Sequence, residues 1–228
     1  MHVDVLVRPG SAVARVQLEL GETFTAETGS MIAMSGGVQI ETSSKSRGQG
    51  GLLSGLKRML SGENFFLNHY KATASGQEVF LAPTLIGDVE AVHLAGRKLH
   101  VQAGGWLGSS DGVSLETSYQ GFGVGMLGGE GFFWVTCGGG GTVLLASFGA
   151  IYKVEVDGEY TVDTGHVVAY EDGLQLKVGK ANPSLLGSIF GGEGLVCRFS
   201  GKGTLWCQSH NAPAFGAAIG PLLSPRKV

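Results

Sequence analysis

The chain has 228 residues, of which 43% are hydrophobic, 15% charged and 40 glycine, with a formal net charge of −3. That apolar content excludes a disordered chain. The negative balance argues against a nucleic-acid-binding face, which needs clustered cations to neutralise phosphates, and the glycines lack collagen's three-residue period and fit many tight turns in an all-β protein.

The first ten residues, MHVDVLVRPG, carry no basic and apolar leader. No stretch reaches the roughly 18 apolar residues of a membrane-spanning helix. Three cysteines, Cys137, Cys197 and Cys207, are an odd set, which points to a reducing, cytoplasmic compartment.

In chain order, the first element is an alternating run that reaches a glycine. Val16, Leu18 and Leu20 alternate with Gln17 and Glu19 before Gly21. Leu99, Val101 and Ala103 alternate with His100 and Gln102 after Gly96. Tyr152, Val154 and Val156 alternate with Lys153, Glu155 and Asp157, and Asp157-Gly158 is a hairpin signal.

The second element has a matched frame. Gly29 precedes Gly37, Gly104 precedes Gly112 and Gly165 precedes Gly173, always at one separation. Strands led by Val38, Val113 and Leu174 follow, and the glycines are expected at positive φ or at close backbone approaches. The third element is an apolar stretch ending in Gly-Glu: LSGENFF (60–66), LGGEGFF (127–133) and FGGEGLV (190–196). Leu52, Leu53, Leu56, Met59 and Leu60 share a helical face, as do Leu185, Leu186, Ile189 and Phe190 after Pro183, so these segments are expected to be short capping helices. The fourth element reads as a hairpin, turning near Gly76, at 138–141 and at 201–203.

These elements predict an all-β chain of three tandem β repeats in a pseudo-threefold arrangement. The units run 1–82, 83–147 and 148–210, within one compact body. A tail, 211–228, carries Pro213, Pro221 and Pro225; its AFGAAIG segment packs on the surface and its end is loose.

The strings GGLLSGLKRMLSGENFFLNHY (50–70) and SLLGSIFGGEGLVCRFSGKGTLWCQS (184–209) resemble bacterial and archaeal relatives of the yeast altered-inheritance-of-mitochondria protein, a family of unknown function. The resemblance covers nearly the whole chain. It implies a fold similar to the tryptophan RNA-binding attenuator protein, with double-stranded β-helix or sandwich units repeated in one chain. Eukaryotic relatives are associated with the mitochondrial inner membrane and its organisation. The chain has no Arg- and Ser-rich presequence, so that location does not carry over.

Glu63, Glu130 and Glu193 are the metal candidates: three carboxylates gathered by threefold packing would offer oxygen ligands to a cation. The plainer reading is that each accepts backbone N–H bonds at its own tight turn. No histidine spacing forms a zinc motif. His93 and His100 flank the Gly96 turn and are placed side by side on the surface, and Cys197 and Cys207 on opposite arms of one hairpin. There is no nucleophile elbow or phosphate loop. No catalytic residue and no cofactor is therefore predicted, and nucleic acid is not an expected partner. The expected function is a scaffold or binding protein that self-associates as a trimer or larger assembly, because sheet edges are usually covered or paired. The alternatives are a small-molecule or cation site where the repeats meet, and a membrane-associated organiser using the amphipathic stretch 52–60 with Lys57 and Arg58.

Overall fold

The computed structural model describes residues 1–43, 66–120, 132–180 and 195–224. An N-terminal strand, β1 (His2–Leu6), leads into β2 (Val13–Leu18), β3 (Thr23–Glu27), β4 (Met31–Met34), β5 (Val38–Ser43), β6 (Leu67–Ala72) and β7 (Gln77–Leu81). The next six are β8 (Val89–His93), β9 (Leu99–Gln102), β10 (Trp106–Ser110), β11 (Val113–Gln120), β12 (Phe132–Gly139) and β13 (Thr142–Ala146). Then come β14 (Ile151–Asp163), β15 (Val167–Glu171), β16 (Leu174–Lys180), β17 (Leu195–Gln208) and helix α1 (Ala212–Ile219). The chain is all-β apart from α1 and short 3-10 turns among the described residues.

The strands form three sheets. One runs β1-β2-β7-β4, the second β5-β6-β3-β10-β13-β8, and the third β11-β12-β9-β15-β17-β14, with β16 also on β17. Every strand pair is antiparallel. Within residues 13–81, β2 and β4 flank β7 while β3 and β5 flank β6. Within 89–146, β8 and β10 flank β13 while β9 and β11 flank β12. Within 151–208, the first half of β14 and β15 flank the end of β17, while the second half of β14 and β16 flank its start. A register shift falls between Met31 and Ala33, between Trp106 and Gly108, and between Val167 and Ala169.

Alternation places the core as expected in β2, where Ala14, Val16 and Leu18 are fully buried and Arg15 and Gln17 are not. Burial of such side chains is worth about 1.5–3 kcal/mol each. Three apolar clusters result: one around Phe24, Tyr70 and Leu107, one around Leu99, Trp106 and Trp206, and one around Trp134, Tyr170 and Phe199.

Three local expectations are corrected. The Asp157-Gly158 step is not a hairpin, because β14 runs straight through it. Gly158 faces Gly201, both at positive φ (114° and 124°), so two paired strands bend together and pass from one pairing to the next. The fourth element is likewise a corner: β6 and β7 lie in different sheets, as do β12 and β13, and β17 is a single bent strand. Leu20 lies beyond β2 and is exposed. The tail segment is ordered as α1, capped by the Asn211 carboxamide oxygen accepting from the Ala214 N–H at 2.7 Å. The capping helices predicted at 52–60 and 183–190 lie outside the described residues.

Two further pairings join these sets. β3 pairs with β10, and β9 pairs with β15. A closed threefold arrangement would need a third junction, between β4 and the second half of β14. In the sheets of the described residues, β4 and β14 are terminal strands. Gly108 shows how close the existing junctions are: a Cβ there would stand 2.6 Å from Phe24 Cε1 and 2.8 Å from the Thr25 carbonyl oxygen. Gly108→Val should therefore cost about 2–3 kcal/mol through overpacking. Gly140→Ala, with nothing within 4 Å of the added methyl, should leave thermal stability nearly unchanged. Calorimetric melting of both variants checks the contrast.

Candidate functional site

Glu63, Glu130 and Glu193 lie outside the described residues, as does the amphipathic stretch 52–60. Among the described residues, no group of three or more His, Cys, Asp and Glu side chains is placed to hold a metal ion. His93 and His100 are not neighbours on one surface: β8 and β9 belong to different sheets. His100 stacks on Tyr170 with ring centroids 4.8 Å apart and meets Thr136 Oγ1 at 3.1 Å. Burial holds its pKa below the usual histidine value. Cys197 and Cys207 sit on one strand, not on two hairpin arms. All three cysteines are free and buried, and burial pushes the thiols of Cys137 and Cys197 up to about 12 and that of Cys207 to about 11. Thiols so suppressed are inert as nucleophiles near neutral pH.

The most buried charge belongs to a strut. Asp88, 1% exposed, accepts from Arg8 Nε at 2.8 Å and Nη2 at 2.7 Å. Neighbouring Glu90 takes Lys153 Nζ at 2.6 Å and the Trp206 indole N–H at 3.1 Å. These contacts tie the β1–β2 turn and β8 to β14 and β17. The two largely buried carboxylates are each matched by a cation, Arg8 and Lys153, whose side chains stay 41% and 50% exposed, and such matching is the condition under which buried carboxylates persist. Its chemistry is cohesive.

A cavity of about 480 Å³ lies where the three strand sets approach one another. Glu27, Gln102, Leu107, Phe148, Val167 and Pro213 contribute to its wall. Glu27 closes β3, Gln102 closes β9, and α1 covers one side, with Phe215 edge-on to Phe148 at 5.2 Å. Burial pushes the Glu27 carboxyl up to about 7. Of the side chains lining the cavity, it alone is titratable. The cavity can thus offer one carboxyl that gains or loses its proton near neutrality, with the hydroxyls of Thr84, Ser147 and Thr164 in the same wall and no second titratable side chain among the described lining residues.

The unpaired edges are the other notable surface. β10 and β15 are buried along nearly their whole length, whereas β4 leaves Ile32 57% and Met34 40% exposed. The second half of β14 leaves Tyr160 42% exposed. Sequence reading missed β4, β10 and β15: β10 and β15 are covered on both faces and show no alternation, and β4 is only four residues, MIAM, apolar throughout. Their signal was the short apolar run between the paired glycines: 31–34, 106–107 and 167–170.

The Glu27 carboxyl has a consequence for stability. Its folded pKa lies above the ordinary value of 4.5, so the folded protein keeps a proton that the unfolded chain has lost between pH 4.5 and 7. Stability from this group is full below pH 4.5, declines through pH 7, and is lost above. At 1.36 kcal/mol per unit the loss is on the order of 3 kcal/mol. Glu27→Gln should raise Tm by roughly 5–10 °C at pH 8.5 and change it little at pH 4.5, in thermal melts across that range.

Among the described residues, no helix is long and apolar enough to cross a membrane. The chain is 31% identical over 212 residues to an uncharacterised protein of Streptococcus pyogenes serotype M6, covering 91% of this chain and 85% of that one. Its fold is similar to the crystal structure of a Streptococcus pyogenes protein solved as a structural genomics target, with a TM-score of 0.79, 29% identity and coverage of 97% and 99% of the two chains. Neither relative carries an enzymatic name. Residues 4–210 match the family described as Mitochondrial biogenesis AIM24, and the chain belongs to that family.

Proposed function

We propose that the protein is a non-catalytic scaffold: a six-strand module written three times, joined edge to edge, that builds larger assemblies from identical chains. One observation carries this reading. Residues 13–81, 89–146 and 151–208 share the same four strand pairings, with the register shift at the same place. The glycine frame of Gly29, Gly104 and Gly165 aligns them. Repeated modules joined by strand pairing are an economical way to extend a surface, and their stability is roughly a sum of modules and interfaces. The buried acids support the same reading, since they are spent on ion pairs that hold modules together.

A second reading draws on the cavity beside Glu27. A half-buried carboxyl at a module junction is suited to a small ligand bearing an amine or a cation, and it costs stability unless something binds there. A thermal-shift screen of small amines and divalent cations at pH 8 tests it. A rise in Tm that disappears in Glu27→Gln supports it, and no shift with any of them counts against it.

The scaffold reading predicts that the purified chain runs in solution at a multiple of its 23.6 kDa mass. Size-exclusion chromatography with light scattering reads this directly. A chain that stays monomeric up to high micromolar concentration contradicts it.

A further inference from the structure

We infer that the protein associates head to tail with a second copy of itself, the β4 edge of one copy pairing antiparallel with residues 159–163 of the next, Ala33 opposite Val162. This rests on the scaffold reading and names the partner and the register. The two junctions inside the chain provide the template. At β3·β10, Ala26 lies opposite Gly108, Thr25 opposite Ser109 and Phe24 opposite Ser110. At β9·β15, Val101 lies opposite Ala169, His100 opposite Tyr170 and Leu99 opposite Glu171. In the frame set by Gly29, Gly104 and Gly165 these are the same three positions. Extending the frame once more puts Val162 opposite Ala33, Thr161 opposite Met34 and Tyr160 opposite Ser35.

Burial points the same way. Phe24 and Leu99, which occupy one frame position, are 0% and 1% exposed, and Tyr160 at the third is 42% exposed. Leu107 and Val168 are both 1% exposed, and their counterpart Ile32 is 57% exposed. The unburied side chains at the two terminal edges are thus those whose equivalents are core residues wherever a junction has formed. Size agrees as well. The strand crossing at each junction needs a small residue, as the close surroundings of Gly108 show, and the equivalent positions hold Ala169 and Ala33. Ala33 keeps that small side chain on an edge with no strand across it among the described residues.

The sheets complete the argument. The second sheet runs β5-β6-β3-β10-β13-β8, and the third repeats that order from β11. The chain's remaining strands form two partial sheets, β16-β17-β14 at one end and β4-β7-β2-β1 at the other. Joined through β14 and β4 they reproduce the same order. Strand addition of this kind gives main-chain hydrogen bonds for affinity and side-chain pockets for register. The two edges differ, so the contact is heterologous and propagates to a ring or a filament.

The test uses two full-length variants whose altered side chains are exposed in the single chain, Ile32→Arg and Tyr160→Arg. Each blocks one edge. Light scattering should show each alone as a monomer, and an equimolar mixture as a dimer, because one intact edge remains on each. If each variant keeps the parent's oligomeric mass, or the mixture stays monomeric, the inference is overturned while an oligomeric parent still supports the scaffold reading. A monomeric parent overturns both. Register is read separately by mixing Met34→Cys with Thr161→Cys under mild oxidation, the native cysteines being buried. A disulfide-linked pair is expected from the mixture and not from either variant alone. Its absence, or equal cross-linking of Met34→Cys with Glu159→Cys, contradicts the proposed register.

Discussion

The antiparallel pairing of β3 with β10, repeated by β9 with β15, is the constraint on which the rest of the molecule depends. It brings a strand from one set of six against a strand from the next at a distance that leaves no room for a side chain at Gly108. It also buries both faces of β10 and β15, which is why Trp106, Leu107, Val168 and Ala169 sit in the core although their runs do not alternate. Without these two pairings no named strand of one set would pair with a strand of the next, and β3, β9, β10 and β15 would all be bare edges. A bare edge is a liability in water, because its N–H and C=O groups invite any passing strand.

Charge reinforces the same connection. Arg8 comes from the β1–β2 turn, Asp88 and Glu90 from the start of the second set, and Lys153 and Trp206 from the third. An ion cluster of largely buried carboxylates and half-exposed cations is seldom a net source of stability, but removing a cation is costly because it strands a carboxylate. Its effect here is to penalise any arrangement in which the three sets are displaced from one another. Glu27 is the exception. It is a carboxyl held above its ordinary pKa by burial, at the end of the strand that makes the first junction.

Much of this was legible in the residues. The all-β class followed from alternation and glycine content, and the Gly29–Gly37, Gly104–Gly112 and Gly165–Gly173 pairs share one spacing. Gly112 and Gly173 do permit close backbone approach, since an added Cβ would collide with the carbonyl oxygens of Gly140 and Lys202. What was not legible was connectivity. A glycine between two alternating runs reads as a hairpin, yet Gly158 and Gly201 bend two long strands at a shared corner. A local dipeptide cannot tell a chain reversal from a bend, because both need the same positive φ. The strands β10 and β15 escaped notice because being covered on both faces erases the period of two, and β4 because its four residues are all apolar although mostly exposed. The three Gly-Glu steps that first suggested repetition lie outside the described residues, and it is the strand pairings elsewhere that now support that reading.

The central claim is that the edge of β4 is a junction strand like β10 and β15, waiting on another copy of the chain. Hydrogen–deuterium exchange on the concentrated full-length protein reads this at the backbone. The account predicts slow exchange for the amides of residues 31–35, approaching that of 106–110 and 167–171, and loss of that protection on dilution. Rapid exchange of the β4 amides that do not face β7, at every concentration, would contradict it.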